Sequence, residues 1–98
     1  MTVNSTNFEV VYISEVRYHM ELRAGGDVWR IIGKAQNHPV VESGGYILPT
    51  NPKSYDPKTL RFTTNSGRLY EIVSFAQPEI TFEKQILKDI EKGGYEIH

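Results

Sequence analysis

The longest regular pattern in the chain runs from Phe8 to Arg23, where apolar and polar residues alternate with a period of two. Alternation over this length predicts a β-strand with one face towards a core. Its even positions carry most of the apolar side chains: Phe8, Val10, Tyr12, Ser14, Val16, Tyr18, Met20 and Leu22. Gly25-Gly26 then allows a tight turn, and Val28 to Gln36 returns. The first third of the protein is therefore predicted to be a long hairpin.

The first strand is too long for a flat sheet in a domain of this size. Fully extended it would span about 50 Å at ~3.3 Å per residue, whereas such a domain has a radius of gyration of about 13 Å. Ser14 interrupts the apolar phase, and Val11 and Ile13 are apolar in the opposite phase. We therefore expect a bulge, a bend or a change of partner near Ile13 to Glu15, or a strand that reaches outside its own sheet.

The return strand shows a gradient of side-chain size along one face. Trp29, Ile31, Gly33 and Ala35 lie on that face, from the largest to nearly the smallest. A glycine inside a strand marks a place where another group approaches the backbone closely. The pattern predicts that a side chain packs directly over Gly33.

The remaining chain predicts three short strands and one helix. The strands are expected at 46–48, 60–64 and 68–75, with an irregular, proline-rich segment at 49–57. From Pro78 the period becomes helical, with Phe82, Ile86 and Ile90 at intervals of four, and Gly93-Gly94 ends the helix. A helix of this length is marginal in water by itself, so it must dock on the sheet.

These elements predict an α+β fold in a single domain covering 1–98. We expect a mainly antiparallel, five-stranded meander sheet or a partly open small barrel, with one C-terminal helix packed on it. Within the domain, 1–7 is expected to be flexible, 8–75 to form the β meander and 78–92 the helix. Residues 95–97 alternate again and could add a short edge strand.

Composition removes several classes of function. The 98 residues carry 11 basic and 12 acidic side chains, for a net charge of −1, which argues against a dedicated nucleic-acid or membrane-surface protein. There is no cysteine, and hence no disulfide, thiol nucleophile or cysteine metal site. No apolar run approaches the ~20 residues of a membrane span. The polar N-terminus does not resemble a signal peptide, so we expect a cytoplasmic protein.

The chemistry-bearing residues do not assemble into a catalytic or metal-binding motif. The histidines lack the close spacing of metal ligands, and no serine sits in a nucleophile elbow. The strand glutamates alternate with arginines, for which cross-strand ion pairing is the simpler explanation. The sequence therefore predicts no enzyme, no catalytic residue, no metal and no cofactor.

Binding to a protein is the function that the pattern favours. Few prolines or lysines protect the strand edges, and an unprotected edge pairs readily with a second copy of the chain or with another protein. A homodimer formed by strand or sheet pairing is one expectation. A stripe of lysines on the helix is either a solvated face or a contact for an acidic partner. The candidate partner-binding residues are Arg17, His19, Glu21, Arg23, Arg30, Asn37, His38, Lys84, Lys88 and Lys92.

An alternative is a single-stranded nucleic-acid-binding β domain. Arginines and tyrosines on a strand face could contact phosphates and stack on bases; they are Arg17, Arg30, Arg61, Arg68, Tyr18 and Tyr70. The same strands carry Glu15, Glu21 and Glu71, which would repel phosphates. Nucleic acid is therefore the less favoured partner.

One longer motif has a counterpart elsewhere. The run Trp29-x-Ile31-x-Gly33-x-x-x-Asn37-His38-Pro39, followed by Thr64-x-Ser66-Gly67-x-x-Tyr70, resembles small uncharacterised domains of bacteria and their phages. The chain departs from that pattern after Leu48, where Pro49-Thr50-Asn51-Pro52 replaces a Thr-Ser pair. The resemblance implies no activity and no ligand. It favours a phage or mobile-element accessory protein, a class that includes inhibitors of host defence such as anti-CRISPR proteins.

Asn37-His38-Pro39 itself has two interpretations. The first is a strand stop with a turn capped by a side chain, since proline cannot donate to a sheet ladder. The second is a recognition loop.

Overall fold

A computed structural model describes residues 10–92 of the chain. In this part, one mixed sheet of six strands carries a single helix. The strands are β1 (Val10–Glu21), β2 (Val28–Gln36), β3 (Tyr46–Ile47), β4 (Pro52–Asp56), β5 (Arg61–Thr64) and β6 (Leu69–Ile72), and the helix is α1 (Glu79–Lys92). Their order across the sheet is β3-β2-β1-β6-β5-β4. The α+β class and the C-terminal helix are thus confirmed, and the sheet is open rather than closed into a barrel.

The expectation of five antiparallel strands in meander order is wrong. Val10–Ile13 of β1 pair in parallel with Leu69–Ile72 of β6, while the other pairings are antiparallel. Strands β4, β5 and β6 form their own meander, and its last strand meets the edge of β1 that β2 leaves open. Alternation of apolar residues identifies a strand but does not specify the edge on which it pairs, so the sequence pattern could not show this.

The sixth strand lies in the segment predicted to be irregular. β4 begins at Pro52 and ends just before Pro57. It is an edge strand that pairs only with β5, with an irregularity between Pro52 and Ser54. Proline is tolerated at the first residue of an edge strand because no ladder donor is needed on its open side. β2 has the predicted bounds, whereas β3, β5 and β6 are shorter than expected. The predicted features at 1–7 and 95–97 lie outside the described residues.

The predicted bulge in the first strand is confirmed, and it reverses the buried face. The β1–β2 register shifts between Ser14 and Arg17, and Glu15 has a φ of 52°. Val11 and Ile13 are buried before the bulge, Val16 and Tyr18 after it. Before the bulge, where both faces are partly apolar in the sequence, the odd positions are thus the buried ones and Tyr12 is exposed. An extra residue in one strand shifts the alternation by one position, so the buried side chains change from odd-numbered to even-numbered residues.

The core lies between the sheet and the helix. Phe82 and Ile86 of α1 are fully buried, and the ring of Phe82 packs 5.4 Å from Tyr18 and 5.5 Å from Phe75. Beneath them Phe62 stacks on Tyr70, with 5.0 Å between the ring centroids. The close approach over Gly33 is confirmed, because Ile13 of the bulged strand occupies that space.

Candidate interaction surface

The distal half of the β1–β2 hairpin, residues 19–30, extends past the part of the sheet that the other strands support; we call it the arm. β6 pairs with β1 only as far as Ile13. The chain after β6 then follows β1 further: Ser74 and Ala76 bond to the backbone of Val16, and the Gln77 side chain accepts from Tyr18 N–H at 2.8 Å. Among residues 10–92, no backbone partner follows on this edge beyond Tyr18.

The open edge of the arm presents main-chain hydrogen-bonding groups. The backbone groups of Val16 and the N–H of Tyr18 point away from β2, because they bond to the 74–77 segment. In an antiparallel pair this direction repeats at every second residue. The N–H and C=O of Met20 therefore point outwards too. The C=O of Tyr18 meets Nη1 of Arg17 at 3.5 Å, at the outer limit of a hydrogen bond.

One side of the arm is apolar and incompletely covered. Tyr18 is buried, with its ring against Phe82 and its hydroxyl donating to Oδ2 of Asp89 at 2.9 Å. On the same face, Met20 stands opposite Trp29, and these side chains are 41% and 49% exposed. Leu22, just beyond them, is 77% exposed. Met20, Leu22 and Trp29 thus lie on the core face that the alternation predicts, but they are not buried, because the cover over Tyr18 does not continue over the next pair.

The other side of the arm is charged. Oε1 of Glu21 accepts from Nη2 of Arg23 at 2.9 Å and lies 3.7 Å from Nη1 of Arg30. The hydrogen bond from Arg23 is the main cause that lowers the pKa of Glu21, with the charge of Arg30 adding to it. Such exposed pairs contribute little to stability, because solvent screens them. His19 belongs to the same face, so the structure brings four of the ten predicted partner-binding residues to the arm, and Arg17 lies on that face of β1 just before it.

Arg30 also ties the arm to the rest of the sheet. Its Nη2 donates to the carbonyl oxygens of Leu48 at 3.0 Å and Pro49 at 3.2 Å. These residues follow β3, the neighbour of β2 on the side away from β1. The 48–49 segment thus holds the inner edge of the arm, whereas among residues 10–92 no backbone group bonds to its outer edge beyond Tyr18.

Asn37 and His38 lie at the opposite end of β2. Asn37 has a φ of 67°, and its side-chain amide donates to the Val10 carbonyl at 2.8 Å. Nδ1 of His38 accepts from the backbone N–H groups of Val40 at 3.0 Å and Val41 at 3.1 Å. Burial, with the nearby Arg68 charge as a second cause, lowers the pKa of His38. This geometry is that of a turn capped by side chains, the first of the two interpretations of the motif.

The three lysines occupy a third location. Lys84, Lys88 and Lys92 are exposed on α1, together with Ile80 and Leu87. The predicted residues therefore do not form one site, since they divide among the arm, the turn after β2 and the helix. Sequence reasoning missed the apolar residues of the arm, because alternation marks the face of a strand but not how far a helix covers that face.

The two tyrosines that the nucleic-acid alternative requires for base stacking are not accessible. Tyr18 and Tyr70 are buried on the core side, away from the arginine face. On that face Nε of Arg61 already contacts Oε1 of Glu71 at 2.9 Å.

Within residues 10–92 no group of three His, Asp or Glu side chains could hold a metal ion, and no helix in that range is long and apolar enough to cross a membrane.

No protein-family model, curated protein or solved structure matches this chain.

Proposed function

We propose that this protein is a non-catalytic protein–protein interaction module whose arm binds a β-strand of a partner. The observation that carries the proposal is the pair Met20 and Trp29, opposite each other on the core face of the sheet and 41% and 49% exposed. Beside this pair, the outer edge of β1 offers the backbone groups of Met20. An added strand would satisfy the edge and cover the apolar pair at the same time.

The residue types on the arm suit a protein interface. Aromatic residues, methionine and arginine are enriched at such interfaces, where an apolar centre is bordered by a polar rim. Trp29, Met20 and Leu22 supply the apolar centre, and the ion pairs of Glu21 with Arg23 and Arg30 supply the rim. An inhibitor that works by occupying its target needs such a surface and no chemistry. The proposal therefore agrees with the phage or mobile-element accessory class that the sequence resemblance favours.

The proposal is tested by photo-crosslinking in living cells. A photoreactive amino acid replaces Leu22 on the arm or, as the control, Thr59, which is exposed in the turn between β4 and β5. We expect the Leu22 position to yield a discrete crosslinked species with a protein identified by mass spectrometry. That species should disappear when Met20→Asp is added. The Thr59 position should give none.

Two outcomes would overturn the proposal. One is the absence of any discrete crosslink from Leu22. The other is the same set of crosslinked proteins from Leu22 and from Thr59, which would indicate random collision. Circular dichroism of the Met20→Asp variant shows that any loss of crosslinking is not a loss of folding, since Met20 is partly exposed and its replacement leaves the core intact.

A further inference from the structure

We propose that the strand bound at the arm is β1 of a second copy of this chain, antiparallel and centred on Met20. This inference rests on the proposed interaction function and names its partner. The resulting dimer would have a two-fold axis beside Met20, and the two arms would form a ribbon of four strands in the order β2-β1-β1-β2.

The open backbone groups complement themselves in this register. Met20 N–H and C=O of one copy meet Met20 C=O and N–H of the other. Tyr18 C=O of each copy meets Leu22 N–H of its mate. In a regular ladder the Tyr18 N–H would face the Leu22 C=O of the mate, but it already donates to Gln77 at 2.8 Å, so only one of the two bonds of this pair forms. The two central bonds between the Met20 residues therefore form without breaking an existing bond, and the Tyr18 carbonyl oxygen, which Nη1 of Arg17 contacts at 3.5 Å, has a second lone pair for the Leu22 N–H.

Neighbouring registers fit the edge less well. Centring the pair on His19 would require the N–H of Tyr18, which Gln77 holds, and would bring Leu22 against Val16, whose N–H and C=O bond to Ser74 and Ala76. Centring it on Glu21 would bring Tyr18 against Ala24, which lies in the turn beyond the end of β1 and not in the strand.

The apolar sides of the two arms also match. Met20 is paired with Trp29 within each arm, so the dimer would place Trp29, Met20, Met20 and Trp29 in one row across four strands. Cross-strand apolar and aromatic neighbours of this kind stabilise a sheet. Leu22, the most exposed of these side chains, would stand opposite Tyr18 of the second copy.

On the charged side, His19 of each copy would face Glu21 of the other, a donor opposite a carboxylate. Arg17 would face Arg23 of the second copy, but Arg23 is held by Glu21 at 2.9 Å. That carboxylate would lie diagonal to Arg17 of the second copy, within reach of a long side chain. The polar face thus offsets the like charges with a shared glutamate.

The test uses single cysteines, which are unambiguous because the chain has none of its own. In the proposed register the two Met20 Cα atoms are ~5.5 Å apart, within the range that a disulfide requires. The two Leu22 Cα atoms are four residues out of step, about 14 Å apart at ~3.4 Å per residue. Under mild oxidation we expect Met20→Cys to form a disulfide-linked dimer and Leu22→Cys, the more exposed position, to form little.

The mass in solution provides the second measurement. Multi-angle light scattering should show the parent chain of 11.2 kDa approaching twice that mass as its concentration rises. The Met20→Pro variant should be a monomer, because proline lacks the outward N–H that would bond to the second copy. The pairing of β1 with β2 does not use this N–H. Circular dichroism and the melting temperature check that this variant is folded. Trp29, the only tryptophan, should become less accessible to acrylamide quenching on dimerisation.

Three results would overturn the inference. A strict monomer at millimolar concentration would exclude the second copy, as would a disulfide that forms faster from Leu22→Cys than from Met20→Cys. If residues 93–98 of the same chain cover the arm instead, their deletion would expose Trp29 to quenching without changing the mass. A monomer that still gives a discrete Leu22 crosslink to another protein would refute the homodimer and leave the proposed function standing.

Discussion

Cγ1 of Ile13 lies 2.5 Å from the position that a Cβ atom on Gly33 would occupy. Ile13 pairs with Ala35, two residues from Gly33, beside the bulge at Ser14–Arg17, and the Ser14 carbonyl oxygen is 3.0 Å from the same position. The bulge brings the Ile13 side chain over the strand backbone, and only glycine leaves room for it.

Gly33→Ala should therefore destabilise the protein. Overpacking a close-packed core costs about 1–3 kcal/mol, and we expect a loss of this size in the free energy of unfolding by urea. Gly25→Ala is the control and should change it little, since nothing lies within 4 Å of a Cβ there. Adding Ile13→Ala to Gly33→Ala should cost less than the sum of the two single changes, because the residues share one space. Strict additivity would contradict the contact.

The buried pair of Tyr18 and Asp89 predicts a pH dependence of stability. Burial raises the pKa of the Asp89 carboxyl, and the hydrogen bond from Tyr18 acts against this shift. A folded pKa above the unfolded value of 3.8 means that the folded state holds its proton more tightly. Stability therefore falls as pH rises from about the unfolded pKa through the folded one. Asp89→Asn should remove this pH dependence. The free energy of unfolding of the variant, relative to that of the parent, should therefore be higher at pH 7 than at pH 3.

Tyr18→Phe is the matched variant. It keeps the ring that packs on Phe82 but removes the hydroxyl that donates to Asp89. Losing a hydrogen bond to a charged group costs about 1.5–3 kcal/mol, and the loss should shrink at low pH, where the carboxyl is neutral. Urea unfolding at the two pH values measures both variants. Equal losses at pH 3 and pH 7 would show that Asp89 is not charged in the folded protein.

His38 should titrate below its usual pKa of 6.5, because burial and the Arg68 charge disfavour its protonated form. Its Nδ1 accepts two backbone hydrogen bonds, so the neutral ring should carry its proton on Nε2. As pH falls below 6.5 the unfolded chain binds a proton first, so stability decreases until the folded pKa is reached. NMR titration measures the pKa and tautomer, and His38→Ala should lose this part of the pH dependence. A protonated Nδ1 at neutral pH would contradict the capped turn.

Glu15 tests the conformation of the bulge. It has a φ of 52°, where a residue with a Cβ is strained by about 1–2 kcal/mol. Its contact with Lys34 at 3.3 Å is exposed and contributes little. Glu15→Gly should therefore leave stability unchanged or raise it, whereas Glu15→Val, with a β-branched side chain, should lower it. Urea unfolding should separate these two variants by at least ~1 kcal/mol; equal stabilities would indicate that the bulge has another geometry.

Much of the local structure follows from the order of residues. The hairpin, the bulge near Ser14, the close approach over Gly33 and the helix with Phe82 and Ile86 inwards all arise from contacts or periods within short stretches of chain. The capped turn at Asn37-His38-Pro39 is of the same kind. In each case the residue type limits the backbone or marks the buried face, so no knowledge of distant neighbours is needed.

The tertiary structure decided what depends on distant neighbours. The parallel pairing of β6 with β1 follows from how the two halves of the sheet meet. The same contact explains why the proline-rich segment forms the edge strand β4. The exposure of Met20 and Trp29 likewise depends on where the cover over Tyr18 stops. Alternation assigned these side chains to a core face, and it did so correctly. Whether a core face is buried depends on what packs against it, and on the arm nothing among residues 10–92 covers it fully.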